Sequence, residues 1–414
     1  MSKTLLVLTE QFPYGNGETF LESEMLFWDT FDRVIVCPLS SKENGVKKRA
    51  VEKCELIEIS ISKLKKIIET PKLLFDQDFW EEFEILKQKS ANKYESFKKL
   101  LSMTLNMRIE ARQIIRYLKD NIKADDQLFL YAYWLYNPAY VAVTVKKHIP
   151  QVERAISRAH GFDIYEYRSF NYLPYRQMLF EKLDAVYCVS NNGVNYLSEL
   201  YPLSSVKFHC AYLGTIDYGT EIFYRQSNTI RIVSCSNCIK LKRINLIIDA
   251  LSQLRGSGLL IEWTHFGGGP LLDALKIYAS EQLGEFATFT FAGPVSNSEL
   301  MNKYKSGQYD FFINVSETEG IPVSIMEAMS FGIPALATDV GGTSELVNDG
   351  INGYLVGANT SFVEIANKIQ EIALLDTETY LNLRINARRK WEMCFSAKNN
   401  YPKFCDKIII GSEE

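Results

Sequence analysis

Short apolar runs alternate with longer amphipathic segments along almost the whole chain. Apolar runs of about four to eight residues, bounded by polar or glycine-containing turns, are typical of buried strands, and amphipathic segments with helical spacing predict helices. Strands that alternate with helices predict an α/β protein with parallel sheets, in which ligands bind at the carboxyl ends of the strands. We expect such strands over residues 4–9, 33–38, 127–133, 154–159, 185–190, 230–235, 263–266, 289–292, 310–315 and 334–338.

The segment 310–356 carries the most informative pattern. A buried strand, Asp310–Val315, runs into a polar loop, and we expect Pro322 to hold the first position of the following helix, where an N–H would have no partner. Glu319 lies in the loop, where the free N–H groups and the dipole of that helix suit a phosphate. Glu327 lies in the second turn of the helix and can accept hydrogen bonds from a diol. Two carboxylates beside an anion-binding helix end predict a site for a sugar nucleotide.

An ordered set of motifs continues through this segment. Glu319 and Glu327 have seven residues between them, and the set also contains Glu327-Ala328-Met329, Gly332 and Pro334, Ala337-Thr338-Asp339-Val340-Gly341-Gly342, Glu345 and Asn352-Gly353. Together these residues resemble glycosyltransferase family 4, whose members are retaining enzymes with the GT-B fold. Residues 158–167 and Glu319-Gly320-Ile321-Pro322 are similar to bacterial polysaccharide-assembly members. An ordinary α/β crossover with solvated glutamates is the alternative interpretation.

The resemblance implies an α/β chain with two Rossmann-like domains, whose parallel sheets face each other across a cleft. A length of 414 residues is too great for one core and also favours more than one domain. We expect an acceptor-side domain over residues 1–212, a linker near residues 212–228, and a domain that binds the nucleotide sugar over residues 213–387. Residues 388–414 are expected to supply a final helix that packs back on the first domain.

The resemblance assigns the donor to the second domain. Glu319 would orient the donor sugar, Glu327 would bind the ribose, and Lys242 would stabilise the leaving diphosphate. Lysine and arginine where a strand meets a helix suit a pyrophosphate, because the cations and the helix N–H groups converge on it. The remaining residues expected to line the donor site are Gly320, Ile321, Pro322, Val323, Gly268, Gly293 and Val295.

One position of the basic loop departs from the family pattern. The family usually places an arginine five residues before the lysine, but Asn237 occupies that position here. The loss of such a charge-assisted contact costs roughly 1.5 to 3 kcal/mol. Lys240 or Arg243 would have to substitute for the missing guanidinium, or activity would be weak or absent.

The first domain offers three candidate features. Gly15 and Gly17 lie in the loop after the first strand; the resemblance implies a role in the cleft, and a simple strand-to-helix turn is the alternative. His160 follows the strand 154–159, where a neutral imidazole can bind a sugar hydroxyl. Family 4 members often carry a histidine here that contacts the donor sugar, whereas a structural histidine is the alternative. Arg168 follows and is grouped with the acceptor side.

Charge is distributed unevenly along the chain. The overall net charge of −4 argues against nucleic acid as the main partner. Residues 40–123 nevertheless hold 19 Lys and Arg against 13 Asp and Glu, and apolar residues recur at helical spacing from Tyr94 to Leu118 among basic ones. This segment predicts either a basic amphipathic face on an anionic membrane, through residues 60–120, or helices that pack on the sheet with solvated basic faces.

The sequence has few features that are typical of metal-binding sites, signal peptides or membrane spans. Cys235 and Cys238 have the spacing of half a zinc site, but no second pair accompanies them, and we expect the eight cysteines to be free thiols. Asp76-Gln77-Asp78 does not follow a strand, so we interpret it as a chance match to a metal-binding motif. We therefore expect no cofactor and no metal. No apolar run is long enough for a membrane span or a signal peptide, which predicts a cytoplasmic protein; peripheral contact at the inner membrane face is the alternative that the basic segment leaves open.

These observations lead to one main functional hypothesis. The chain would be a retaining glycosyltransferase that moves a hexose from a UDP- or GDP-linked sugar to a glycan or lipid-linked acceptor, in cell-surface polysaccharide synthesis. Glu319, Lys242 and His160 would form its catalytic set. The alternatives are a GT-B epimerase or hydrolase of nucleotide sugars, and a catalytically silent subunit that binds a nucleotide sugar.

Overall fold

The computed structural model describes residues 2–15, 17–40, 49, 51, 53–204, 206–220 and 229–411. The chain divides into two compact units, one of Met1–Tyr212 with Tyr401–Glu414 and the other of Leu213–Asn400. Each unit is built around a parallel sheet, as the alternation of strands and helices predicts. Part of the expected linker, residues 221–228, lies outside the described residues.

The first unit contains a seven-stranded sheet with the order β3-β2-β1-β4-β5-β6-β7. Its strands are β1 (Lys3–Thr9), β2 (Arg33–Pro38), β3 (Glu55–Leu56), β4 (Gln127–Ala132), β5 (Val152–Ala159), β6 (Ala185–Cys188) and β7 (Phe208–Cys210). Its helices before the second unit are α1 (Phe20–Glu24), α2 (Lys63–Glu69), α3 (Gln77–Lys89), α4 (Lys93–Asn121), α5 (Asn137–His148), α6 (Gly161–Ile164), α7 (Arg176–Lys182) and α8 (Asn191–Leu200).

The second unit contains a six-stranded sheet with the order β10-β9-β8-β11-β12-β13. Its strands are β8 (Thr229–Cys235), β9 (Leu260–Phe266), β10 (Thr288–Gly293), β11 (Phe311–Asn314), β12 (Ala335–Thr338) and β13 (Gly353–Val356). Its helices are α9 (Ile244–Gln253), α10 (Leu272–Leu283), α11 (Asn297–Ser306), α12 (Val323–Ser330), α13 (Thr343–Leu346), α14 (Phe362–Ala373), α15 (Thr377–Cys394) and α16 (Ala397–Ile410), whose residues from Tyr401 onward belong to the first unit.

Both sheets wind in the same way. In the first unit, the chain passes from β1 to β2 and β3 on one side and then crosses to β4 on the other side. In the second unit, β8 leads to β9 and β10 on one side before the chain crosses to β11. The direction of winding therefore reverses beside β1 and beside β8. Ligands of open α/β sheets bind where the strand order reverses, at the carboxyl ends of the strands.

The central strands are buried on both faces, which explains their continuous apolar sequences. Residues Leu5–Leu8 of β1 are fully buried, and β11 and β12 are buried along their length. Helix α4 also turns a long apolar face inward, with Leu100, Met107 and Ile114 among its buried residues. Its apolar stripe is thus used for packing within the first unit, which is the second of the two interpretations offered by the sequence.

Two arginines of α4 form ion pairs within the unit. Arg108 forms an ion pair with Asp76, and Arg112 forms one with Glu69. Asp76 also caps α3, because its side chain accepts a hydrogen bond from the Phe79 N–H. Asp76 therefore has a structural role, in keeping with the interpretation of the Asp76-Gln77-Asp78 sequence as a chance match. In the described part of the chain, no helix has both the length and the apolar character needed to cross a membrane.

A fully buried ion pair lies in the core of the first unit. The Arg158 Nη1 atom lies 2.8 Å from Glu24 Oε2, and both side chains are completely inaccessible to solvent. Arg158 also donates to the Ala211 carbonyl at 3.3 Å and lies over the Phe404 ring, 4.0 Å from its centroid. The segment that returns to the first unit is thus anchored partly by this guanidinium.

Two details differ from the sequence predictions. Pro322 caps α12 and is not its first residue: its backbone is extended, and its carbonyl accepts from the Ile325 and Met326 N–H groups. The expected single helix over residues 388–414 is wrong, because α15 ends at Cys394 and α16 begins at Ala397. The main chain at this break pairs with Thr215, which accepts from the Ala397 N–H and donates to the Phe395 carbonyl.

The expected return to the first unit at residue 388 is also wrong. Residues 388–400 lie in the second unit, and the return begins at Tyr401. Arg388 pairs with Asp217 at 2.6 Å, and Trp391 Nε1 donates to Thr215 Oγ1 at 2.7 Å. Both partners belong to the second unit, and the sequence gives no sign of these pairings.

Candidate functional site

The loops after β8 and β11 meet at the point where the strand order of the second sheet reverses. The segment Lys240–Lys242 forms a short 3₁₀ turn after β8, and Arg243 takes a left-handed conformation with φ 47° before α9 begins. The loop after β11 carries Glu317 and Glu319. The two loops are joined through the main chain, because the Glu317 N–H donates to the Leu241 carbonyl at 2.9 Å.

Lys242 and Glu319 contact each other directly. The Lys242 Nζ atom lies 2.6 Å from Glu319 Oε1, and both side chains are mostly buried, with exposed fractions of 21% and 13%. Asn314 Nδ2, at the end of β11, donates to the same Glu319 oxygen at 3.3 Å. The structure thus brings together two residues that the sequence placed at one site, and it pairs their charges.

Arg243 donates hydrogen bonds to the main chain of the neighbouring loops. Its guanidinium donates to the carbonyls of Val315 at 2.6 Å, Ala358 at 3.0 Å and Ser316 at 3.1 Å. Burial lowers the pKa of this group from its ordinary value. Arg243 therefore holds the loop after β11 in place, and its contacts do not support its predicted use as a substitute phosphate ligand. Asn237 and Lys240 are both exposed in the loop after β8.

The N-terminus of α12 begins directly after the Glu319 loop. Gly320, Ile321 and Pro322 lead into Val323, and no side chain in the described part of the chain caps the helix. The first N–H groups of a helix have no intrahelical partners, so this end favours an anion. The Gly342 N–H donates to the Gly320 carbonyl at 2.8 Å.

Gly341 permits the glycine-rich loop after β12 to pack closely against the Glu319 loop. A Cβ at Gly341, where φ is +56°, would lie only 2.0 Å from the Glu319 carbonyl oxygen. No side chain fits in that space, so the two loops meet in this way only with glycine at this position. The glycine-rich loop predicted from the sequence therefore packs on the main chain of the Glu319 loop.

Glu327 lies on α12 and is held by a residue that the sequence analysis missed. Asn297 Nδ2, in the first turn of α11, donates to Glu327 Oε1 at 2.7 Å. Burial raises the pKa of Glu327 to about 7, and the hydrogen bond from Asn297 opposes this rise. Asn297 lies near Glu327 only because α11 and α12 pack beside each other, and no local pattern in the sequence indicates that contact.

The glycine loops after β9 and β10 complete this edge of the sheet. A Cβ at Gly267 would lie 1.9 Å from the Ser236 carbonyl oxygen, and the Cys238 N–H donates to the Gly268 carbonyl at 2.7 Å. The Gly267 N–H donates to the Gly293 carbonyl at 2.9 Å. Gly268 and Gly293 therefore lie on loops that are connected to each other and to the Asn237 loop, with Val295 half-buried two residues beyond Gly293.

His160, in the first unit, is buried against aromatic rings. Its ring centroid lies 4.7 Å from that of Tyr133 and 4.5 Å from that of Trp134. Burial lowers the pKa of His160 well below its ordinary value, and the nearby Arg158 adds to this effect. In the described part of the chain, neither ring nitrogen has a hydrogen-bond partner. Burial therefore favours the neutral form of the imidazole. Both ring nitrogens are buried, and a role for His160 in sugar binding stays a prediction.

Glu18 organises the loop that contains the two predicted glycines. Its carboxylate accepts hydrogen bonds from the N–H groups of Glu10, Gln11 and Phe12, at 2.8, 2.7 and 2.6 Å, and from Trp134 Nε1 at 2.7 Å. The sequence analysis named Gly15 and Gly17 but passed over this carboxylate, which follows them directly.

The glycines themselves shape the loop and its surface. Gly15 takes a left-handed conformation with φ +68°, whereas Gly17 lines a hollow of about 220 Å³ together with Trp134, Tyr136 and the exposed Phe162. Arg168 donates to the Gly161 carbonyl at 2.9 Å and lies over the Tyr165 ring. Arg168 therefore stabilises the turn after β5.

Cys238, in the loop after β8, contacts a histidine. Cys238 Sγ lies 3.5 Å from His265 Nε2, and His265 Nδ1 lies 2.9 Å from Ser234 Oγ. All eight cysteines are free thiols, as expected. Within the described ranges, no group of three or more His, Cys, Asp and Glu side chains is arranged to hold a metal ion.

Most of the second unit matches a known protein family model. Residues 222–390 match the family model described as Glycosyl transferases group 1. The putative colanic acid biosynthesis glycosyltransferase WcaL of Escherichia coli (strain K12) is 26% identical over 274 residues, which are 63% of this chain and 66% of that protein. The O-antigen biosynthesis glycosyltransferase WbnH of Escherichia coli is 34% identical over 170 residues, 41% of this chain and 44% of that protein. The matches thus span 66% and 44% of the lengths of these two relatives.

Solved structures identify the fold of the chain. A glycosyltransferase from Rickettsia africae ESF-5 superposes with a TM-score of 0.67 at 16% identity, over 99% of both chains. The lipopolysaccharide outer core galactosyltransferase WaaB gives a TM-score of 0.69 at 14% identity, over 98% of this chain and 99% of that one. Anabaena Alr3699/HepE in complex with UDP-glucose gives 0.64 at 15% identity, over 98% and 99%. The chain therefore has the GT-B fold, and its residues 222–390 match the family model Glycosyl transferases group 1.

Proposed function

We propose that this chain is a retaining glycosyltransferase of polysaccharide assembly, which moves a hexose from a nucleotide sugar to a glycan or lipid-linked acceptor. The contact of 2.6 Å between Lys242 and Glu319 carries the proposal. It lies where the strand order of the second sheet reverses and next to the uncapped N-terminus of α12, which is where a charged ligand of such a sheet binds. The names of the relatives, which include colanic acid and O-antigen biosynthesis, support the polysaccharide setting.

Donor binding would exchange the partners of this ion pair. The diphosphate of the donor would take the Lys242 ammonium and the free N–H groups of α12, because both favour an anion. Glu319 would then be released to accept hydrogen bonds from the hydroxyls of the donor sugar. Glu327 would accept hydrogen bonds from the ribose diol, in place of the one that Asn297 now donates.

The proposed reaction needs no protein nucleophile. The acceptor hydroxyl oxygen forms a bond to the anomeric carbon while the bond from that carbon to the diphosphate oxygen breaks on the same face of the sugar. The departing diphosphate takes the proton of the acceptor hydroxyl. Lys242 and the α12 N–H groups stabilise the negative charge that develops on the leaving group, and this electrostatic stabilisation is the main contribution of the protein. His160 would donate to or accept from a sugar hydroxyl as a neutral imidazole.

We also propose that these groups act without a resident metal. Lys242 and the helix N-terminus supply positive charge at the place where a metal-dependent enzyme would hold a cation. The proposal predicts full activity in buffer that contains EDTA. A rate that falls with EDTA and returns with Mg²⁺ or Mn²⁺ would contradict it.

The first unit offers a surface for contact with a membrane, which we propose as the meeting place with a lipid-linked acceptor. Helix α2 and the turn after it expose large apolar side chains, and lysines are interspersed among them. The exposed apolar residues are Leu64, Ile67, Ile68, Leu74 and Phe75, of which Phe75 is 91% exposed. Apolar side chains among lysines suit an anionic bilayer surface. On this proposal, the enzyme works in the cytoplasm at the inner membrane face.

A panel of UDP-, GDP- and ADP-sugars tests the function. Each sugar is added to the full chain, and thermal stabilisation and release of nucleoside diphosphate are followed together. A donor at one hundred times its dissociation constant should raise the free energy of unfolding by about 2.7 kcal/mol. Glu319→Gln should abolish turnover, whereas the control Glu317→Gln, an exposed carboxylate in the same loop, should not. Unchanged turnover in Glu319→Gln would exclude its proposed role.

A silent subunit that binds a nucleotide sugar is the second candidate, and two observations favour it. Asn237 stands where the resemblance places an arginine, and Arg243 is engaged with three carbonyls. Binding of a donor without any release of diphosphate, even with acceptors present, would support this candidate. Conversion of the donor without transfer to any acceptor would instead support an epimerase or a hydrolase.

A further inference from the structure

Strand β10 forms one edge of the second sheet. It spans Thr288–Gly293 and pairs with β9 on its inner side. Beyond this ladder, no hydrogen bond from elsewhere in the described chain reaches residues 288–292. The outer side of an edge strand presents unpaired N–H and C=O groups, which can pair with a further strand. This edge is therefore a candidate surface for association.

The other three edge strands of the two sheets are short, and each carries a charge or a covering group. β3 has two residues, one of which is the charged Glu55. β7 has three residues, and Lys407 Nζ donates to the carbonyl of Cys210, its last residue, at 3.2 Å. β13 has four residues, and Asp349 Oδ1 accepts from the Leu355 N–H at 2.9 Å. Short length, charge and covering groups prevent edge strands from pairing with other chains.

Within the described residues, β10 lacks this protection. With six residues, it is the longest of the four edge strands. Its sequence, Thr-Phe-Thr-Phe-Ala-Gly, contains neither a charged residue nor a proline. Its pairing with β9 becomes irregular between Phe291 and Gly293, so the strand is regular from Thr288 to Phe291. Threonine and phenylalanine both favour strands, and this edge is thus suited to accept another strand.

The side chains of β10 alternate between two environments. Thr288 and Thr290 are exposed on one face of the strand, whereas the two phenylalanines that follow them are half-buried on the other. The centroid of the Phe291 ring lies 5.2 Å from that of Trp263 and 6.4 Å from that of Phe289. The phenylalanine rings are therefore held by their own unit while part of their surface stays open to solvent. Rings that are already held in place lose little entropy on association.

The strand is complementary to itself when two copies run antiparallel. If a two-fold axis passes through Thr290, the Thr290 side chains of the two copies lie opposite each other, and Phe289 of each copy lies opposite Phe291 of the other. Pairs of aromatic residues and pairs of threonines stabilise neighbouring antiparallel strands, and no like charges meet. The half-buried rings would also cover each other. A two-fold interface is made by the same patch on both subunits, and β10 meets this condition.

We propose that the protein forms a homodimer in which the β10 strands of two copies pair antiparallel about a two-fold axis at Thr290. The two six-stranded sheets thereby join into one continuous sheet. The main chain supplies the hydrogen bonds, and the phenylalanine rings supply the apolar part of the contact. This association goes beyond the proposed function and does not depend on it.

Sedimentation velocity of the full chain tests the proposal. A pair of six-residue strands makes a smaller contact than the standard interface of about 1,600 Å², so we expect a dissociation constant on the order of 10 μM. Measurements from about 1 to about 100 μM protein extend to both sides of this value. The wild type should change from monomer to dimer across this range. A wild type that stays monomeric throughout would overturn the proposal and would leave the edge to a strand of another protein.

A charge at the centre of the strand should prevent pairing. Thr290→Lys places two ammonium groups opposite each other across the two-fold axis, which should raise the dissociation constant at least about tenfold. Thr290 is exposed, so the melting temperature at the lowest protein concentration should stay that of the wild type. The control Gln370→Lys adds the same charge on the exposed side of α14, which packs on α9 and β13, and should dimerise like the wild type. A dimer that persists in Thr290→Lys would overturn the proposal.

Opposite charges test the antiparallel register. Thr290→Glu alone should be monomeric for the same reason as Thr290→Lys. An equimolar mixture of the two variants should dimerise, because the two-fold axis at Thr290 brings an ammonium group and a carboxylate together. A mixture that stays monomeric while the wild type dimerises would overturn this register. The assay contains no nucleotide sugar, so failure of the proposed function would leave the dimer intact, and a monomeric wild type would leave donor turnover unaffected.

Discussion

The Lys242 ammonium and the Glu319 carboxylate form an ion pair, with Nζ 2.6 Å from Oε1, at the reversal point of the second sheet. Two residues that are expected to contact different parts of one donor thus neutralise each other. The pair is mostly buried, so removal of one partner would leave a poorly solvated charge. This arrangement holds both side chains in place before the donor arrives.

The pair leads to a prediction for Lys242. Lys242→Met should lower the turnover number by about 10²- to 10³-fold, the usual cost of removing one group that stabilises charge in the transition state. The donor should still bind through the α12 N-terminus and Glu327. Single-turnover kinetics with a saturating nucleotide sugar measures the effect. A lower affinity with an unchanged turnover number would mean that Lys242 contributes only to binding.

For Asn237 we predict a substitution that raises activity. Asn237→Arg should raise the rate of diphosphate release about tenfold, because a new charge-assisted hydrogen bond contributes on the order of 1.5 kcal/mol. Asn237 is exposed in its loop, so a longer side chain can be placed there without displacing neighbours. The steady-state rate with the best donor is the measurement. If the rate does not change, Lys240 already supplies the charge.

The contacts of Arg243 predict an effect on stability. Arg243→Lys should lower the free energy of unfolding by about 2 kcal/mol, because a lysine cannot reproduce a planar fork that reaches three carbonyls. Chemical denaturation measures the change, with Lys240→Ala as an exposed control in the same loop. A variant that is fully stable but inactive would indicate that Arg243 contacts the donor phosphates.

The sequence predicted the main motif and the strands other than β3, β7 and β13, but not the contacts between distant segments. Buried parallel strands have continuous apolar sequences, and the motif from Glu319 to Gly342 is local, so both can be found without knowledge of the fold. Asn297 reaches Glu327, and Glu10 lies in one cavity with Glu110, only because of sheet order and helix packing. Neither relationship has a spacing in the sequence that reveals it. The partners of Arg243 also lie on other loops, so its contacts could not be predicted from the sequence.

The pKa of Glu327, raised to about 7 by burial, predicts how donor binding depends on pH. The ionised carboxylate is the better acceptor for the ribose hydroxyls, so affinity for the donor should rise as pH increases through 7. Asn297→Ala should move this rise to higher pH, because the hydrogen bond that lowers the pKa is lost. Glu327→Gln should bind more weakly and independently of pH. Calorimetric titrations with the nucleoside diphosphate between pH 6 and 8.5 test both expectations.

The same group predicts the stability of the unliganded protein. Because the folded pKa lies above the ordinary value of 4.5, the native state binds more protons than the unfolded state between these values. The contribution of Glu327 to stability is therefore present below about pH 4.5 and is lost as pH rises toward 7. The Glu327→Gln variant lacks this loss. Its melting temperature minus that of the wild type should therefore increase as pH rises from about 4.5 to about 7.

The buried pair of Arg158 and Glu24 predicts a large effect on the first unit. Arg158→Met should lower the free energy of unfolding by about 3 to 5 kcal/mol, because it leaves the Glu24 carboxylate buried without its partner. Burial already raises the pKa of Glu24, so the variant should recover part of the loss at low pH, where the carboxyl is protonated. The double variant Arg158→Met with Glu24→Leu removes both charges and should be more stable than the single variant. A single variant as stable as the wild type would mean that the carboxyl is already neutral in the native protein.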